Sequence, residues 1–182
     1  MNDQLTLDHE ELGTLLGEVR NALAAGDISQ SHSRLDLFWA RLAMHIRAEH
    51  LHLFPAILGE LNKTPNAKIG LAPSLAQAQK VIEELRGDHE FFMQELASAI
   101  ATLRDLVKNK DQLFAARKLE AIGAGIIAVE RRLAIHNLLE ETEVYLWTRK
   151  LLSDAEQTAL AARIQSELDN VPPRFSDAAT VS

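Results

Sequence analysis

The chain has 182 residues, 47% of them apolar and 25% charged, no cysteine and a net charge of −7, the profile of one soluble domain with a sizeable core. The acidic balance offers no footprint for nucleic acid or an anionic membrane. Without thiols there are no disulfides, cysteine-held clusters or thiol nucleophiles, so any metal must be held by nitrogen and oxygen.

The first helix is expected from about Asp3 to Ala25, with Leu5, Leu12, Leu16, Val19 and Leu23 on one face, the spacing of a 3.6-residue period. Gly26-Asp27 ends it, and Ser29 or Ser31 is the expected cap of the second. That helix runs through Leu35, Phe38, Leu42, Ile46 and Leu53 to about Leu61, with Pro55 as a kink or early stop. Asn62–Ala72 reads as a loop, and Pro73 falls in the first turn of the third helix, which carries Ile82, Leu85, Phe92, Leu96, Ile100 and Leu103 and ends near Lys108. The fourth starts near Asp111 and carries Ile122, Ile126, Val129, Leu133, Val144 and Trp147; Gly123 and Gly125 within it point to close helix contact. Ser153-Asp-Ala-Glu156 opens a fifth, shorter helix in capping-box form.

Short connections between long amphipathic helices predict an all-α, up-down-up-down four-helix bundle over residues 1–152. A C-terminal helix over 153–170 packs on or beside it, and 171–182, which has no periodicity, is expected to be a disordered tail. The N-terminus lacks the charge and apolar pattern of a secretory signal, and no apolar run approaches the roughly 20 residues of a membrane span. A cytoplasmic protein, monomeric or homodimeric, is the expectation.

Four histidines mirror one another across the predicted turns. His9 and His45 are centred on Asp27, His45 and His89 on the second loop, and His89 and His136 on the third break. In antiparallel helices all four then reach one level of the bundle. Glu49 follows His45, and Glu140 follows His136, by four residues, which places each pair on one helical face. All six lie on the apolar stripes: His9 between Leu5 and Leu12, His89 between Leu85 and Phe92, and the two pairs beyond Leu42 and Leu133. Any one of these histidines alone would be most simply a packed or solvated residue. Together they put two carboxylates at the bundle axis, where an unpaired charge costs several kcal/mol and bound cations remove that cost. His9, His45, Glu49, His89, His136 and Glu140 are therefore the candidate ligands of a two-metal site.

His32 lies roughly 20 Å along its helix from His45 at 1.5 Å per residue, too far to join them. His50 turns off the Glu49 face and reads as packed or solvated. His52 keeps the alternative i,i+3 ligand spacing to Glu49 open, although the second half has Glu143 at its counterpart. Phe92 and Met93 read as core residues lining a pocket, and Trp39, Tyr145 and Trp147 as packing residues. The two halves repeat: Asp8-His9-Glu10 is echoed by Asp88-His89-Glu90, and the stretch from His45 to Phe54 by that from His136 to Tyr145.

The order His9…His45-x-x-x-Glu49…His89…His136-x-x-x-Glu140, with the phrases Asp8-His9-Glu10 and Glu49-His-Leu-His-Leu-Phe-Pro55, resembles the hemerythrin-like HHE cation-binding domains over roughly Leu5 to Leu152. The resemblance implies two iron ions bridged by both carboxylates and by an oxo or hydroxo group, with zinc or manganese as possible replacements. It implies a small ligand as partner: oxygen, nitric oxide or peroxide, in oxidative or nitrosative stress or in an oxygen or iron response. A sensor, iron-handling or structural metal module without catalysis is the alternative. Oxygen-carrying members place a second histidine one turn from the first on the third helix, where this chain has Leu85 and Met93. It is therefore similar to the bacterial four-His, two-Glu type. Members that repair iron–sulfur centres usually carry an added cysteine-bearing segment, and this chain has no cysteine.

Overall fold

The first helix, α1 (Asn2–Ala24), stops because Gly26 takes φ 70°, a left-handed conformation that is open to a residue without Cβ. With that reversal the amides of Asp27 and Gly26 reach back to the carbonyls of Ala22 and Leu23, each at 3.0 Å, and close the helix end. Asp27 immediately opens α2 (Ile28–Ala48), its side chain accepting from the Gln30 amide at 2.9 Å. The expected serine caps are therefore wrong by a few residues. The helix restarts directly after the glycine, so Ser31 is already inside it and donates to the Asp27 carbonyl at 2.7 Å.

The computed structural model describes residues 2–63, 72–108 and 112–175, with side chains from Gln4 onward and, after the third connection, from Ala115 onward. The second helical rod consists of α2, a π-helical turn at Glu49–Leu53 and α3 (Phe54–Lys63); most of the expected loop that follows lies outside the described residues. The third rod is α4 (Leu75–Lys108). Ser74 caps it, accepting from the Gln77 amide while its own amide donates to the Gln77 side chain. Pro73 thus precedes the cap instead of lying in the first turn. The fourth rod is α5 (Gln112–Leu139), a second π turn at Glu140–Val144, and α6 (Tyr145–Leu151). The Ser153–Glu156 capping box opens α7 (Asp154–Leu168). Pro173–Phe175 form a 3-10 turn with Arg174 on Asp36 at 3.1 Å, and 176–182 lie outside the described residues.

Pro55 does not bring the early stop, one of its two expected effects, since helix continues through it to Lys63. The rod widens before it and continues, with Phe54 N–H donating to the Glu49 carbonyl five residues back. The fourth rod widens at the matching place, Tyr145 N–H to Glu140 carbonyl, although Leu146 stands there in place of proline. The cause lies in the pattern of buried residues. Leu35, Phe38, Leu42, His45 and Glu49 step by three and four, whereas the buried Leu53, Ile57 and Leu61 continue by fours. A π turn absorbs that drift and keeps both stretches facing inward.

Rods one to four form a bundle in which α1 packs on α2, α2 on α4, α4 on α5, and α5 back on α1; α7 docks against α2 and the first π turn. Leu12, Leu16, Phe38, Leu42, Phe92, Leu96, Ile126 and Leu133 belong to one apolar half of the core. Leu5, Leu53, Phe54, Ile57, Leu85, Val144, Leu160 and Ile164 belong to the other. Burying each such side chain contributes about 1.5–3 kcal/mol. Gly123 and Gly125 do not mark close helix contact, because a Cβ built at either meets nothing within 4 Å. Among the described residues no helix is long and apolar enough to cross a membrane.

Candidate metal centre

Every rod crosses from one apolar half to the other at a polar side chain, and those side chains form one layer. His9 stands between Leu5 and Leu12, His89 between Leu85 and Phe92, and the His45–Glu49 and His136–Glu140 pairs between Leu42 and Leu53 and between Leu133 and Val144. All six candidate residues are buried, with both glutamates at 0% exposure. His32 does not belong to the layer. His52 lies 3.7 Å from Glu167 of α7 and outside the His/Glu cluster.

The contacts divide the layer into two positions. Position A is framed by His9 and His45, whose Nε2 atoms are 3.1 Å apart. Glu140 Oε2 approaches His9 Nε2 at 3.3 Å and Glu49 Oε1 approaches His45 Nε2 at 3.4 Å. Position B is framed by His89 and His136, with Nε2 atoms 3.0 Å apart. Here Glu49 Oε2 lies 3.2 Å from His89 and Glu140 Oε1 3.2 Å from His136. Each glutamate thus gives one oxygen to each position.

The opposite edge of every imidazole is held. Asp8 Oδ2 meets His45 Nδ1 at 2.8 Å, Asp88 Oδ2 meets His136 Nδ1 at 3.1 Å, and Glu141 Oε1 meets His9 Nδ1 at 2.8 Å. His50 Nε2 lies 2.9 Å from His89 Nδ1. A carboxylate only accepts, so it draws the ring proton to Nδ1 and leaves Nε2 as a lone pair in the neutral ring. At position A, where a carboxylate stands behind both rings, two lone pairs then face each other at 3.1 Å and require a proton or a metal ion between them. Donor spacings of 3.0–3.4 Å are also what an ion roughly 2.1 Å from nitrogen and oxygen donors produces. Glu49 Oε2 and Glu140 Oε1 are buried with no hydrogen-bond partner, a loss of about 1–3 kcal/mol or more for a charged group. The residues present fit a pair of metal ions.

Without ions, protons compensate. Burial pulls the His45 imidazole down, but the carboxylates of Glu49 and Asp8 outweigh it and hold its pKa well above the usual histidine range. His136 is raised in the same way by Glu140, Glu49 and Asp88 against its burial. Glu49, despite burial, is held well below the carboxylate range by His45 and His89. Asp8 is lowered by His45 and Arg41 against its own burial.

Three groups at the centre differ from the sequence reading. His50 is neither turned away nor merely packed, because it stands in the widened turn, which swings it onto His89. Tyr145 is not merely a packing residue: its hydroxyl reaches His9 Nε2 at 3.2 Å, Glu49 Oε1 at 3.3 Å and Glu140 Oε2 at 3.2 Å. Asp8 and Asp88 have paired roles that the repeated Asp-His phrase could have suggested. A further signal is Arg41 and Arg132, each four residues before its histidine, bound to Asp8 and Asp88 respectively. Outer carboxylates of this kind typically set metal affinity by about 10–100-fold. Asp8→Asn and Asp88→Asn should each weaken metal binding by about that factor in chelator competition; unchanged affinity in both would deny them any hold on the histidines.

Residues 1–147 match the family model described as Hemerythrin HHE cation binding domain. No match was found among the curated proteins or the solved structures.

Proposed function

The chain belongs to the hemerythrin HHE cation-binding family, and we propose that it is a two-iron protein whose ions are held by His9, His45, Glu49, His89, His136 and Glu140 and react with a small ligand. The metal-binding character follows from the family and from the buried His/Glu cluster. The observation that carries the two-ion reading is the division of both carboxylates, one oxygen to each histidine pair. When bound, the iron pair supplies one-electron redox steps at two adjacent centres.

The chain's own residues set the conditions. Asp8, Asp88, Glu141 and His50 fix the ring orientation, so that four Nε2 atoms face inward. Leu85 and Phe92, both fully buried, flank His89 and exclude water, and an apolar wall of this kind favours small neutral ligands over hydrated ions. Leu85 and Met93 occupy the sites one turn from His89, so the His89 position is the one left open to oxygen, nitric oxide or peroxide.

Anaerobic ferrous protein mixed with oxygen, nitric oxide or peroxide in stopped flow should change its visible absorbance, and the oxygen change should persist under vacuum. A spectrum that reverses under vacuum would mark reversible carriage. Silence toward all three ligands, with two ions bound, would leave a structural or sensory metal site.

A further inference from the structure

The two halves of the centre repeat, the second and fourth rods at a separation of 91 positions and the Asp8-His9 and Asp88-His89 pairs of the first and third at 80. His45 and His136, Glu49 and Glu140, and both π turns correspond. His50, behind His89, corresponds to Glu141, behind His9. Phe54, stacked near His89 at 6.3 Å between ring centroids, corresponds to Tyr145, stacked near His9 at 5.9 Å. The chemistry departs from the repeat at these last two places. Position A has an anionic partner behind His9 and a phenol beside it, where position B has an imidazole and a phenyl ring.

The Tyr145 hydroxyl is 1% exposed with its residue and faces three acceptors at once. Glu141 draws the His9 proton to Nδ1, so His9 Nε2 presents a lone pair; the two carboxylate oxygens present lone pairs as well. One hydroxyl proton cannot serve three acceptors. The distances, 3.2–3.3 Å, also exceed the ~2.5–2.7 Å of a hydroxyl donating to a carboxylate. They equal the spacing among the other donors of position A. All three neighbours are position A atoms. The two carboxylate oxygens of position B are the ones without a hydrogen bond.

We propose that the Tyr145 oxygen is a fifth protein donor at position A, so that the two metal positions are chemically inequivalent and exogenous ligand enters at position B alone. This rests on the two-iron reading above. Coordination replaces the O–H bond by an oxygen–metal bond and releases one proton to solvent; no electron moves. With a phenolate, two carboxylate oxygens and Glu141 behind His9, position A carries more negative charge than position B and favours the ferric ion.

The test uses the full chain loaded with ferric iron. It should hold two irons and show a tyrosinate-to-ferric charge-transfer band with resonance-enhanced ring vibrations. Tyr145→Phe keeps the ring and should abolish the band while weakening one of the two irons by at least about 10-fold. Azide should still bind this variant. Phe54→Tyr supplies the missing hydroxyl at position B and should add a second phenolate contribution while weakening azide by a similar factor. Two bound irons without the band, or a band that survives Tyr145→Phe, overturns the proposal and leaves the two-iron reading standing. Azide lost in Tyr145→Phe and kept in Phe54→Tyr overturns the assignment of the positions. Failure to bind iron at all sinks the two-iron reading itself, and this proposal with it.

Discussion

Glu49→Ala and Glu140→Ala are each expected to reduce bound metal from about two ions per chain to well below one. Each carboxylate gives one oxygen to position A and the other to position B. Removing one therefore strips a donor from both ions together. It also removes the negative charge that offsets two cations in a buried layer. The loss should exceed the roughly 10–100-fold typical of outer groups. His9→Ala should be milder, since His9 belongs to position A alone and leaves the four donors of position B intact. His32→Ala should leave metal content unchanged. Metal analysis of the purified variants decides the matter: one full ion retained in both glutamate variants would mean that each carboxylate serves a single ion.

Stripping the metal should lower the melting temperature, by an amount that grows with pH. Ions that bind only the folded chain add about 4 kcal/mol at a free concentration 1,000 times the dissociation constant. For a chain of this length that is about 8–16 °C. The stripped chain draws on different forces. The folded pKa values of His45 and His136 are raised, so their contribution is complete below the ordinary histidine value of about 6.5 and is lost as pH rises through the raised values. Those of Glu49 and Asp8 are lowered, so their contribution is present above the ordinary carboxylate value of about 4 and is lost as pH falls through the lowered values. The metal-free chain should thus be most stable between the two ranges and weaken toward alkaline pH. Metal needs bare Nε2 atoms and gains affinity in that same direction. Calorimetry of stripped and loaded protein from pH 5 to 9 tests this. A gap in melting temperature that narrows toward pH 9 would contradict it.

Most of the bundle was legible in the sequence, because its evidence is periodic. The stripes of Leu12, Leu16 and Val19 or of Leu96, Ile100 and Leu103 identify rods and inward faces, and histidines placed on those stripes have to meet. What stayed hidden depends on rotation about a helix axis. His50 sits one residue past Glu49, where a regular α-helix would turn it away; the widened turn, visible only as buried positions continuing by fours, brings it back. Tyr145 falls at an inward position on the fourth rod, so an apolar role was the simpler reading until its hydroxyl was seen among three acceptors. Asp8 and Asp88 precede histidines of their own helix yet hold histidines of the next, a relation that requires the distance between rods. Gly123 and Gly125 suggested contact by their smallness, and the space beside them is open.

The repeat of the two hairpins also bears on what a single covalent chain makes possible. Two separate copies of one hairpin, meeting about a two-fold axis through the layer, must present identical surfaces to each other. Such a pair could hold a phenol beside both histidine pairs or beside neither. Joined end to end, the hairpins are free to differ, and here one ends its turn on Phe54 and the other on Tyr145. A single oxygen atom, present in one half and absent from the other, is a difference that no symmetric dimer of the same fold can carry.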